Sequence, residues 1–257
     1  LHFYFCRMET STGLPVIKRP LASIRIIFMG TPEFAVASLD ALVMAGCTIV
    51  GVVTAPDKPA GRGMKLTESA VKKYAIEKCF HILQPEKLKH PVFTETLRSL
   101  KADVQVVVAF RMLPEIVWKM PPLGTINVHA SLLPQYRGAA PVNWAVINGE
   151  KETGVTTFKL QHVIDTGNIL LQETIAIGAD ETAGELHDRM KITGARLLVK
   201  TIRSLAGGTL KEQPQESLVH DEAGIKHAPK IFTETCNINW ENKTDRIFNL
   251  VRGLSPY

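Results

Sequence analysis

Ile24-Arg25-Ile26-Ile27-Phe28-Met29 is short, mostly apolar and stopped by Gly30, the pattern of a buried strand. Thr31-Pro32-Glu33 follows, with Thr31 as an N-cap, Pro32 at the first helical position and Glu33 in the first turn. Phe34, Ala37, Leu39, Ala41, Leu42 and Ala45 predict a helix that Gly46 ends, and the apolar run over 48–54 predicts a second buried strand. Strand, helix and strand in this order imply a right-handed crossover and a parallel sheet. Residues 55–66 read as a loop rich in Pro, Gly and cations, followed by a helix near 67–79 and a short strand at 82–84. A helix near 91–100 leads into Asp103-Val104-Gln105-Val106-Val107-Val108-Ala109, a central strand, and Thr125-Ile126-Asn127-Val128 is a further short one.

A Pro/Gly-rich segment over 130–141 separates that strand from a helix starting at Pro141. Beyond residue 153 the pattern changes to two β runs, near 153–160 and 169–177. Thr182 and Glu185 form a capping-box signature that opens a long helix stopped by Gly207-Gly208. The remainder is mixed and polar, with a helical stretch near 243–252. The fold class expected is α/β: a Rossmann-like open, mostly parallel sheet with helices on both faces. Residues 1–22 read as an irregular N-terminal extension, and the start at Leu1 rather than Met reads as a trimmed or internal beginning.

The 257 residues are 45% hydrophobic and 21% charged, which excludes disordered and low-complexity classes. Thirty Lys and Arg against 25 Asp and Glu leave a charge of +5, which permits an anionic partner without demanding one. The four Cys, at 6, 47, 79 and 236, form no C-x-x-C pair, so zinc ribbons, thioredoxin-type redox and a disulfide framework are not expected. Free thiols suit a reducing cytosol, so a cytoplasmic location is expected. No apolar run reaches the ~18 residues of a membrane span. Neither G-x-G-x-x-G nor a Gly-Lys dipeptide occurs, which leaves a nicotinamide or nucleotide cofactor without support.

Three segments can carry chemistry. In Asn127-Val128-His129 the outer two residues project to one face of a strand, at the carboxyl edge where open α/β sheets place their sites. An amide beside an imidazole suits polarising a carbonyl and moving a proton. A strand-end Asn in a turn and a His bonded to backbone is the competing structural reading. Asp165, in Asp165-Thr166-Gly167 between the two β runs, offers a carboxylate that can orient His129, or else a turn bonding its own backbone. The parallel α/β pattern and the single Asp-Thr-Gly argue against an aspartic protease. The loop from Pro56 to Lys65 carries Lys58, Arg62 and Lys65 with two glycines, suited to phosphate contacts or simply solvated.

Together and in order, I-R-I-I-F-M-G-T-P-E-F, P-D-K-P-A-G-R-G, I-N-V-H-A-S-L-L-P, Y-R-G-A-A-P and D-T-G resemble the methionyl-tRNA formyltransferases of the folate-dependent formyltransferase family, over roughly residues 23–257. The resemblance implies a formyltransferase domain over 23–206. It also implies that 207–257 finish that domain and lead toward a C-terminal β-barrel domain that lies outside this chain. The activity implied is transfer of a formyl group from 10-formyltetrahydrofolate to the α-amine of initiator methionyl-tRNA, by a monomer, with no metal and no membrane. Asn127, His129 and Asp165 would be catalytic. Met112, Leu113 and Pro114, with Ser131, Leu132, Leu133 and Pro134, would bind the folate, and Lys58, Arg62 and Lys65 the tRNA. Arg111 stands where the family often has a Gly-like residue in the folate loop. Two alternatives stay open: a formyltransferase acting on a nucleotide sugar or another small amine, and a folate-binding module without turnover.

Overall fold

The computed structural model describes residues 19–60, 65–219 and 224–256. The chain runs β1 (Arg25–Gly30), α1 (Glu33–Met44), β2 (Thr48–Val53), β3 (Lys58–Ala60), β4 (Lys65–Thr67), α2 (Ala70–Glu77), β5 (Ile82–Leu83), α3 (Pro91–Ser99) and β6 (Val104–Val108). It continues through α4 (Glu115–Trp118), β7 (Thr125–His129), β8 (Arg137–Gly138), α5 (Pro141–Ile147), β9 (Glu152–Lys159), β10 (Ile169–Ala176), α6 (Ala183–Ala206), β11 (His227–Ala228) and α7 (Thr244–Leu254).

Seven strands form the main sheet in the order β10-β9-β7-β6-β1-β2-β5. From β7 to β5 every pairing is parallel, whereas β9 joins β7 and β10 joins β9 antiparallel. Alternation along β1 decides the layers. Ile26 and Phe28 join a core with residues of α1, α2 and α6, while Ile27 and Met29 join a core with Phe93, Leu97 and Val117 of α3 and α4. The sheet is thus apolar on both faces, as a strand buried between two helical layers requires. The chain leaves β1 toward β2 and returns on the opposite side at β6, so strand order reverses beside the carboxyl ends of β1 and β6.

Local sequence signals and structure differ in two places. Helix α1 begins at Glu33 with Pro32 as its cap, and Thr31 contributes no capping side chain; its carbonyl instead accepts from the Val71 amide at 3.4 Å. The expected loop at 55–66 contains a hairpin, β3 pairing antiparallel with β4. The Thr182–Glu185 capping box does form: the Glu185 amide donates to Thr182 Oγ1 at 3.3 Å and the Thr182 amide to Glu185 Oε2 at 2.9 Å. Thr182→Ala should therefore destabilise the fold by about 1 kcal/mol in urea unfolding, with no change in catalytic constants. An unchanged urea midpoint would refute the capping role.

Residues after α6 return to the domain. β11 pairs with β8, Asn143 Nδ2 donates to the Gly253 carbonyl at 2.8 Å, and the buried Arg252 guanidinium donates to the carbonyls of Gly178 (3.1 Å) and Glu181 (2.9 Å). No described helix is long and apolar enough to cross a membrane.

Candidate active site

β7 ends on the motif Asn127-Val128-His129. Val128 turns into the core beneath α6, so period two sends Asn127 and His129 to the other face. Both line a cavity of about 690 Å³ at the carboxyl edge of the sheet, a size that suits a ligand with a fused ring system. Asp165 lines the same cavity, although it stands in the connection between β9 and β10. The antiparallel pairing of β9 with β7 brings that connection back beside His129.

His129 is 7% exposed and Asp165 9%. His129 Nε2 lies 2.9 Å from the Tyr136 carbonyl, an acceptor only, so Nε2 carries a hydrogen. Nδ1 is then free to take up a proton, and it faces Asp165 Oδ2 at 3.9 Å. That separation is an ion-pair distance, longer than a hydrogen bond. The same carboxylate oxygen accepts from the Gly138 amide at 3.1 Å. Asp165 therefore bonds backbone, but across the site rather than within its own turn. The ring of Phe158 meets His129 edge-on, with centroids 6.5 Å apart, and closes the inner side. Among the described residues the Asn127 amide makes no protein hydrogen bond, which leaves both of its N–H groups for a bound molecule.

Tyr136, whose carbonyl holds His129, has a left-handed backbone with φ of 59°. Its hydroxyl donates to Glu150 and accepts from Asn148 Nδ2 at 3.1 Å. Burial, together with donation to Glu150, pushes that hydroxyl well above the usual tyrosine range. Burial alone would raise the Glu150 carboxyl, but hydrogen bonds from Lys226 and Tyr136 outweigh it and hold the group below its ordinary value. Tyr136 therefore stays neutral and Glu150 ionised around this anchor.

Of the expected folate residues, Met112 and Leu113 line the cavity, Met112 exposed and Leu113 buried. Pro114 does not line it; it caps α4. Ser131, Leu132, Leu133 and Pro134 are not among the residues that line it. Ser131 Oγ donates to the Gln135 carbonyl at 2.6 Å, and Leu133 packs with Phe158 and Ile169. The buried Thr156 hydroxyl donates to the Ser131 carbonyl at 2.7 Å and accepts from the Leu133 amide at 3.1 Å. These four residues build the turn that carries Tyr136. Arg111, the departure noted in sequence, donates to the carbonyls of Glu86 (2.8 Å) and Pro85 and so ties the loop after β6 to the loop after β5.

A second cavity, of about 520 Å³, is lined by Thr31, Asp57, Lys58 and Glu86 and shares Phe110 and Arg111 with the first. Lys58 is exposed on β3. Its neighbour Asp57 accepts from Lys72 and from Gln84 Nε2 at 2.8 Å, bonds that hold its carboxyl below the usual range and anchor the hairpin base. The expected tRNA contact Arg62 lies outside the described residues, and of Lys65 only the backbone is described. Sequence reasoning missed Gln215, which is completely buried and bonds the Asp165 loop; it lies in a polar, Pro-containing stretch with no motif to mark it. Tyr136 and Arg137 fell inside the noticed Y-R-G-A-A-P run but had no role there.

The formyl transferase family profile matches residues 24–202. The methionyl-tRNA formyltransferase of Parabacteroides distasonis is 56% identical over 235 residues, which cover 91% of this chain and 72% of that one. That of Flavobacterium johnsoniae is 52% identical over 237 residues, 92% of this chain and 74% of that one. An N-formyltransferase structure from Helicobacter canadensis, in complex with folinic acid and dTDP-3-aminofucose, superposes with a TM-score of 0.68 at 21% identity, covering 90% of this chain and 80% of that one, and shares the fold. With this kinship and an amide, an imidazole and a carboxylate gathered at one sheet edge, the chain belongs to the formyl transferase family, among the methionyl-tRNA formyltransferases.

Proposed function

We propose that this chain transfers the formyl group of 10-formyltetrahydrofolate to the α-amine of initiator methionyl-tRNA, for translation initiation. The observation that carries this reading is the convergence of Asn127, His129 and Asp165 on one cavity in a chain of this family. Apolar lining around Met112, Leu113, Val163 and Ile164 fits the flat pterin of a folate-derived donor, with the polar trio at one end to fix its orientation. The cations Lys58, Arg62 and Lys65 of the segment 56–65 would take the phosphates of the tRNA acceptor end. We take the enzyme to be a cytoplasmic monomer.

The chemistry follows from the positions. The neutral amine attacks the formyl carbon; a C–N bond forms and negative charge develops on the formyl oxygen. The Asn127 amide, and His129 once protonated, donate to that oxygen. His129 Nδ1 takes up the amine proton, directly or through water, and Asp165 stabilises the positive charge that the ring then carries. Breaking the old bond to the folate nitrogen returns a proton there and releases tetrahydrofolate. No covalent link to the protein is needed.

The test is a formylation assay with labelled 10-formyltetrahydrofolate offered methionyl-tRNA, a dTDP-amino sugar and glycinamide ribonucleotide in parallel. Label should pass to methionyl-tRNA at a kcat/KM about 100-fold or more above either small amine, the margin that large, salt-dependent phosphate contacts supply. Transfer to a small amine alone would replace the acceptor assignment. Folate binding without transfer to any acceptor would remove the enzymatic reading.

A further inference from the structure

We infer that Gln215 and Arg137 form a clamp that positions Asp165 against His129, an inference that rests on the reading of those two residues as the proton-handling pair. Gln215 is fully buried and every hydrogen-bonding position of its amide is used. Nε2 donates to the carbonyls of Asp165 at 2.9 Å and Gly167 at 2.8 Å, and Oε1 accepts from Arg137 Nε at 3.1 Å and Nη2 at 2.7 Å. Neither Gln215 nor Arg137 lines the cavity, so each acts through Asp165 and not on a bound molecule.

Why the loop needs such a hold is evident from its backbone. Asp165 has φ of 54°, a left-handed conformation that is unfavourable for a residue with a Cβ. Two donors from one planar amide, aimed at carbonyls two residues apart, fix both the position and the rotation of that loop. The other half of the clamp reaches the tripeptide 136–138, from which both catalytic side chains hang. The Tyr136 carbonyl holds His129 Nε2, and the Gly138 amide holds Asp165 Oδ2. Arg137 sits between them, and its charged donors give the stronger class of hydrogen bond. Gln215 thus links the segment that holds the imidazole to the segment that carries the carboxylate. The 3.9 Å between Nδ1 and Oδ2 depends on that link.

A double-mutant cycle in the full chain tests this, with kcat and KM measured for formyl transfer from 10-formyltetrahydrofolate to methionyl-tRNA. Gln215→Met should lower kcat about 30–100-fold and move either KM by less than about threefold, since loss of alignment by about 1 Å is felt at the chemical step. In an Asp165→Ala background the same substitution should cost less than about threefold more, because the residue it positions is gone. Arg137→Met, which leaves both carbonyl bonds to Gln215 in place, should give a smaller kcat loss with the same dependence on Asp165. It serves as the second variant if Gln215→Met does not fold. Equal losses in both backgrounds, or no loss in the native one, would overturn the clamp. Asp165→Ala with near-native turnover would instead refute the catalytic reading beneath it, so the two failures are distinguishable.

Discussion

His129→Ala is expected to lower kcat for formyl transfer by about 10³-fold, with KM for the folate donor changed only a few-fold. The residue holds two roles in one ring. As a donor to the developing oxyanion it is worth about 10²–10³ in rate, and as the proton acceptor a similar factor, though the two contributions overlap in one side chain. Its place explains why the loss falls on kcat. Nε2 is committed to the Tyr136 carbonyl, so the ring cannot turn, and only Nδ1 is presented to Asp165 and the cavity. Removing the ring leaves the apolar walls and Asn127 untouched, so donor binding persists. Single-turnover kinetics with methionyl-tRNA, alongside equilibrium binding of tetrahydrofolate, separate the two quantities. A His129→Ala chain that folds and turns over within threefold of the parent would remove the imidazole from the mechanism.

Among the described glycines, Gly167→Ala should be the most damaging substitution. A Cβ there would fall 1.6 Å from the Lys159 carbonyl oxygen and 2.8 Å from its carbon. Both are backbone atoms of β9, held by the Lys159 amide donating to the Asn168 carbonyl at 2.9 Å, so neither can swing aside. Relief requires the connection that carries Asp165 to move away from β9. Overpacking of this kind costs about 1–3 kcal/mol, or a Tm lowered by roughly 2–12 °C for a chain of this size. A carboxylate displaced by about 1 Å should also cost about 10²-fold in kcat. Gly224→Ala is the matched control, because among the described residues a Cβ at Gly224 meets nothing within 4 Å and should leave both measurements unchanged. Equal Tm and equal kcat for the two variants would sink the close-approach argument.

Much of the layered sheet was legible locally. β1, β2, β6 and β7 were marked by short apolar runs ended by Gly or a turn, and α6 by a capping box that the structure reproduces. Thr31 was misread because propensity places a cap and leaves open which carbonyl the neighbouring helix will occupy; here the Val71 amide takes that of Thr31. The β3–β4 hairpin was hidden because Pro59 and the cations around it carry little strand preference, and cross-strand pairing overrode composition. Ser131, Leu132, Leu133 and Pro134 were assigned to the folate by resemblance to the family, and the sequence by itself offered no partner for them within the chain. Thr156, from a strand paired only in three dimensions, holds their turn through the Ser131 carbonyl and the Leu133 amide.

By itself the amino-acid order determined the elements and the facing of Asn127 with His129, because period two and helix caps are properties of adjacent residues. Asp165 was expected as the partner of His129 from the sequence motifs; only the tertiary structure decided how the two would meet and what else would hold them. The carbonyl anchor of His129 at Tyr136, its carboxylate at Asp165 and the Gln215 amide behind that carboxylate come from three separate stretches. Their meeting depends on sheet order, on the antiparallel return of β9, and on left-handed turns at Asp165, where the residue type favours one, and at Tyr136, where it does not. Contacts of that kind are set by how distant segments close on one another, and neighbouring side chains carry no record of it.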